Sequence, residues 1–205
     1  MNIFRTFWKS GKELFEELFV LAIANLLWIL INAPIALLLL LLSGAGLGIT
    51  FILLMLGVLS FGPANMGLYV IAERITEGRT SSWRNFFEGL REYAVLSWKV
   101  YGLWMAVLIV ILFNLRFYNL SGNLLLSLLS VVFLYFLIVW FGILIYIGPL
   151  IRLQTDKRIR TIARNAALMT FGRPIFTLVT LFLMVVITVT SIWLPILLIL
   201  VTVAF

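Results

Sequence analysis

FGPANMGLYVIAERITEGRTSSWRNFFEGLREYAVLSW, running from Phe61 to Trp98, decides how the rest of the chain is read. It opens inside an apolar run, meets Gly62-Pro63, crosses a segment carrying Glu73, Arg74, Glu77 and Arg79, and re-enters apolar sequence along an amphipathic repeat. Trp83, Phe86, Phe87, Leu90, Tyr93, Ala94 and Ser97 recur at steps of three and four, whereas Arg84, Glu88 and Arg91 lie off that stripe. Thr80, Ser81 or Ser82 supplies an N-cap. An amphipathic helix is expected over about 82–97, lying in a membrane interface or docking on a partner. Trp83, Phe86 and Phe87 are thus candidate lipid or partner contacts.

Outward from this stretch the chain is dominated by apolar runs. Of its 205 residues 64% are hydrophobic and 11% charged, against about 25% charged in soluble domains, and the mean hydropathy is +1.19. These values specify an all-α membrane protein, a polytopic bundle in a single integral membrane domain. Five spans are expected, at about 18–42, 49–72, 98–113, 124–150 and 175–205. Besides the helix at 82–97, amphipathic helices are expected at about 3–17 and 156–171, the latter opposing Arg160 and Arg164 to an apolar stripe. Arg160 and Arg164 join the candidate lipid or partner contacts.

The first span exceeds the roughly 7–15 apolar residues of a signal-peptide core, so the N-terminus is expected to be retained. It carries Asn25 and Asn32, close to one helical face, followed by Pro34. Each amide either bonds a neighbouring helix or faces a ligand. In the second span Pro63 has no N–H to give the carbonyl of Leu59, and Asn65 lies where it could satisfy a freed backbone group. Gly62, Pro63 and Asn65, with Asn25 and Asn32, are therefore candidates for a hinge or a polar bundle interior. The break reads either as a kink with local repair or as a discontinuous helix lining a binding site. The last span, with Pro195, is one long tilted helix or a helix with a re-entrant end.

Lys and Arg count 3, 0, 5, 1, 6 and 0 over the successive segments outside the spans, and all eight acids share the basic side. Under the positive-inside rule the N-terminus and the amphipathic helices are cytoplasmic and the C-terminus is outside. Gly62-Pro63 and Gly148-Pro149 each precede a basic amphipathic segment and another span, a loose parallel repeat. The net charge of +7 sits at span ends, where it meets anionic lipid, and no nucleic-acid module accompanies it.

With neither His nor Cys in the chain, His-based triads, thiolate nucleophiles and the commonest metal ligands are excluded. No P-loop, GxSxG, HExxH or paired-carboxylate motif is present. Glu88 and Glu92 lie one turn apart, where Arg84 and Arg91 are expected to neutralise them. No catalytic, cofactor-binding or metal-binding residue is expected, and the chain reads as not an enzyme.

Three stretches, NLLWILINAPI at Asn25 to Ile35, Phe61 to Lys99, and GPLIRLQTDKRIRTIARNAALMTFGRPIFTL at Gly148 to Leu178, resemble the YesL family of bacterial integral membrane proteins, a domain of unknown function. The resemblance implies a multi-pass protein of the bacterial cytoplasmic (inner) membrane, associated with carbohydrate-utilisation genes and sugar uptake systems. It supplies no catalytic or binding residues. The expected partners are the lipid bilayer and a membrane transporter subunit, with the chain as a carbohydrate transport accessory or scaffold. The alternative is a small-molecule transporter or channel using the break at Gly62-Pro63.

Overall fold

The computed structural model describes residues 18–42, 44, 46–119 and 124–193. The expected helix at 3–17, Pro195 and the end of the last span lie outside the described residues. Within them the chain forms seven helices and no strand: α1 (Leu18–Leu41), α2 (Leu47–Thr76), α3 (Trp83–Glu92), α4 (Ala94–Asn119), α5 (Leu124–Leu153), α6 (Ile159–Gly172) and α7 (Pro174–Trp193). Five of these, α1, α2, α4, α5 and α7, are long and apolar enough to cross a membrane. The fold is an all-α polytopic bundle, with α3 and α6 at its charged end.

α2 is the central element because both of its faces are buried. Val58, Met66 and Val70 join Val100, Tyr101, Trp104, Ile147, Ile151 and Ile162 in one core cluster. Ala64, Leu68, Ile71 and Ile75 join Leu21, Ala24 and Phe86 in a second. The outward faces of α1, α5 and α7 remain apolar and exposed, as helices surrounded by hydrocarbon require. Burial of Ile75 carries α2 a turn beyond its expected end, to Thr76. There Gly78, at φ 67, lets the Gly78 N–H reach the Ile75 carbonyl at 2.9 Å and the Arg79 N–H reach Arg74 at 2.8 Å. This is a Schellman stop, which a left-handed glycine makes without strain.

Two expectations about the central stretch are corrected. The amphipathic helix ends at Glu92 instead of continuing to Ser97, and residues from Ala94 onward begin the third span, which therefore covers Ala94–Asn119 and not 98–113. The turn is made at Tyr93, at φ −105 and ψ 6, whose side chain is buried among groups from α5. α2 also runs without interruption through Gly62 and Pro63, so the discontinuous-helix reading loses its premise. The Leu59 carbonyl that Pro63 leaves free accepts the indole N–H of Trp98, on α4, at 2.9 Å. Ser97 lies about one van der Waals contact from Gly62, with backbone and hydroxyl 3.3 Å from where a Cβ would stand. The Gly-Pro pair is thus a close-approach point for α4.

Across the bundle α4 and α5 are joined by a reciprocal indole pair. Trp104 Nε1 donates to the Trp140 carbonyl at 3.2 Å, Trp140 Nε1 donates to the Trp104 carbonyl at 3.1 Å, and the rings stack 6.1 Å apart. Each indole N–H finds its acceptor inside the membrane layer, where no water would supply one.

Candidate functional site

The polar chemistry of the described residues gathers at the end of the bundle where α2, α3, α5 and α6 meet. α3 reaches that position because two glycines allow its backbone to touch α2. A Cβ on Gly67 would stand 2.7 Å from the Phe86 carbonyl oxygen, and one on Gly89 would stand 2.7 Å from the Met66 carbonyl oxygen. The Phe86 ring fills the contact and is fully buried. Its assignment as a lipid or partner contact is therefore corrected: the aromatic stripe faces the protein at Phe86, is half-buried at Phe87, and is exposed only at Trp83. Phe87 forms edge contacts with both neighbouring rings.

Asn85 organises the start of α3. Its Oδ1 accepts the Ser82 backbone N–H at 2.9 Å and its Nδ2 donates to Glu88 at 2.8 Å. Glu88 in turn pairs with Arg74 of α2 at 3.3 Å. The expected neutralisation of Glu88 and Glu92 by Arg84 and Arg91 is replaced by pairing across helices. A helix lying flat against its neighbours places its acids nearer their cations than its own.

Arg152, in the last turn of α5, is the hub. Its Nε donates to Glu73 of α2 at 2.7 Å, one terminal nitrogen donates to the Tyr93 hydroxyl, and Glu92 lies 3.6 Å away. The guanidinium also sits 5.4 Å from the Tyr93 ring centre. Lys157 donates to the Ile151 and Arg152 carbonyls at 2.6 and 3.0 Å, closing the C-terminus of α5. Partial burial lowers the Lys157 pKa, with the Arg152 charge adding to the effect, while burial raises that of Tyr93. Asp156 accepts the Thr161 hydroxyl at 2.9 Å and the Arg158 N–H at 3.1 Å, and these bonds hold its carboxyl below the usual range.

Outside this clamp the surface is cationic. Arg84, Arg91, Lys99, Arg160, Arg164 and Arg173 are exposed and have no acidic partner among the described residues. Arg160 and Arg164 stand opposite the buried Ile162, Ala166 and Thr170. Among the described residues no three His, Cys, Asp or Glu side chains converge as a metal site.

The polar residues of the first two spans hold α1 to α2. Asn32 Nδ2 donates to the Trp28 carbonyl at 2.9 Å, Ser60 Oγ donates to Asn32 Oδ1 at 3.0 Å, and Trp28 Nε1 donates to Asn65 Oδ1 at 2.8 Å. Asn65 therefore serves Trp28 rather than the Pro63 gap. Asn25 is fully buried. Sequence reasoning passed over Trp28, although it lies on the stripe of Asn25 and Asn32, because a membrane indole reads as lipid-facing by default. Arg152, Glu73 and Tyr93 were also missed as a unit, since their partnership depends on how α2 and α5 are placed.

The fold and this clamp define a helical polytopic membrane bundle with a cationic, helix-covered end. No protein-family model, curated protein or solved structure matches the chain.

Proposed function

We propose that this chain is a non-enzymatic accessory or scaffold protein of the bacterial cytoplasmic membrane, serving carbohydrate uptake. Its charged end faces the cytoplasm, with the N-terminus inside and the C-terminus outside. The observation that carries this reading is the platform made by α3 and α6. α3 is pinned beneath the spans by the Phe86 contact and the Glu92–Arg152 pair, and α6 by its buried Ile162 and Ala166, while Trp83, Arg160 and Arg164 are exposed, the two arginines with no acidic partner among the described residues. A rigid aromatic and cationic surface suits an acidic partner face or anionic headgroups. The resemblance to the YesL family directs the choice of partner to a sugar transporter subunit, and the orientation rests on the Lys and Arg distribution. The transporter alternative has less support, because α2 is unbroken and Asn32 and Asn65 are engaged in helix-to-helix bonds.

Crosslinking in native membranes, followed by partner identification, tests the proposal. Wild-type protein is expected to retain a transporter subunit, and Arg160→Glu with Arg164→Glu to reduce retention about threefold to tenfold. Failure of the wild type to retain any partner overturns it.

A further inference from the structure

A cavity of about 630 Å³ lies between α2, α5 and α7, with Tyr101 of α4 at its inner end. α5 packs against both α2 and α7, which are not packed along each other, so the space is a groove floored by α5. Its α7 wall includes Leu178, Phe182 and Val185, all exposed, and the groove therefore opens sideways along the spans. Its volume is in the range of built ligand sites, about 300–1,000 Å³.

The groove has a polar end. Tyr69 lines it, and its hydroxyl makes no hydrogen bond to any described residue. The Tyr69 ring is held by Gly148, where a Cβ would stand 1.8 Å from the ring edge. That contact gives the second Gly-Pro pair a purpose: it admits Tyr69. Beside it, Asn65 has its Oδ1 occupied by the Trp28 indole, which leaves the amide Nδ2 as its donating group. The recess therefore offers O–H and N–H donors, and the complementary group on an occupant is an acceptor.

Depth narrows the class of occupant. Tyr69 lies one turn, about 6 Å, below Glu73, which pairs with Arg152 at the charged end. The interfacial layer of a bilayer is of that order of thickness, so Tyr69 sits where headgroup gives way to hydrocarbon, with Asn65 one turn deeper. Away from them the apolar α7 wall continues from Leu178 to Val189, about 16 Å of helix. We infer that the groove is a binding site for one ester-linked acyl chain of a membrane glycerolipid, whose ester carbonyl accepts the Tyr69 hydroxyl. The site is separate from the outward platform, and either can fail without the other.

The test uses the full chain in vesicles of equal phosphatidylglycerol and phosphatidylethanolamine, doped with a phospholipid carrying one photoreactive acyl chain. The chain is ester-linked in one probe and ether-linked in the other, the ether lacking the carbonyl acceptor. Wild-type protein is expected to crosslink the ester probe at the α2 and α7 walls about fivefold more than the ether probe. Tyr69→Phe, which keeps the ring on Gly148, is expected to erase that preference. Val185→Trp, filling the groove from its exposed wall, is expected to reduce crosslinking of both probes there. Equal labelling by the two probes in wild type, a preference that survives Tyr69→Phe, labelling spread evenly over all lipid-facing helices, or capture of a second helix in place of lipid would each overturn the inference.

Discussion

At Gly67 and Gly89 the missing side chains matter more than any side chain nearby, because two helix backbones touch there. Gly67→Ala would place a methyl against the Phe86 carbonyl, a contact that only backbone movement can relieve. We expect a loss of about 1–3 kcal/mol, read as a lower melting temperature in detergent and faster protease cleavage between residues 77 and 82. Phe86→Glu would bury a charge in the same place and so reports on folding rather than on partner binding. Asp156 is the residue that links the charged end to pH. Its folded pKa is depressed by Thr161 and the Arg158 N–H, so its contribution is present above the ordinary aspartate value of about 4 and is lost as pH falls through the depressed value. Amide protection in the first turn of α6, taken relative to the intrinsic exchange rate at each pH, is expected to fall on acidification, and Asp156→Asn to flatten that dependence. The stripe of Trp83, Phe86 and Phe87 was visible in the sequence. Which ring faced the protein was not, since that was settled by Gly67 on another helix.

Among the elements, the junction of α2 with α4 is the most informative. Pro63 removes one donor from the helix ladder and Trp98 replaces it from outside. Trp98→Phe is expected to cost about 1 kcal/mol by stranding the Leu59 carbonyl. Pro63→Ala restores an intrahelical donor, so the same Trp98→Phe change made on that background should cost distinctly less. Equilibrium unfolding of the four proteins in a double-mutant cycle measures the coupling, and strict additivity would mean that the indole bond carries no weight. The Gly-Pro signal was legible as a perturbation of the helix, and even the orphaned carbonyl could be named from the sequence. Its repair was not legible, because Trp98 lies 39 residues away, on another helix. The helix boundary at Tyr93 was hidden for a related reason. Periodicity continues across it, and only the buried contacts of Tyr93 show where the chain turns.

For the whole molecule, the order of apolar windows and their alternating basic flanks were sufficient to count the spans, since a bilayer demands long uninterrupted stretches. Five crossings would put the connection after α2, at 77–82, and the connection after α4, at 120–123 of the sequence, on opposite sides of the membrane. Reporter domains inserted at these positions should give opposite signals, and equal signals would overturn the five-span arrangement. The lateral groove could not be foreseen, because it arises from the spacing of α2 and α7 on either side of α5.

The Arg152 hub also imposes an order on biogenesis. Glu73 and Arg152 are 79 residues apart, so at a synthesis rate of about 5–20 residues per second the acid waits roughly 4–16 s for its cation. During that interval α3 has only α1, α2 and the start of α4 to hold it, through the Phe86 contact and the Arg74–Glu88 pair. The clamp closes only when the end of α5 emerges, so the acids of the charged end wait for their cation until most of the chain has been made.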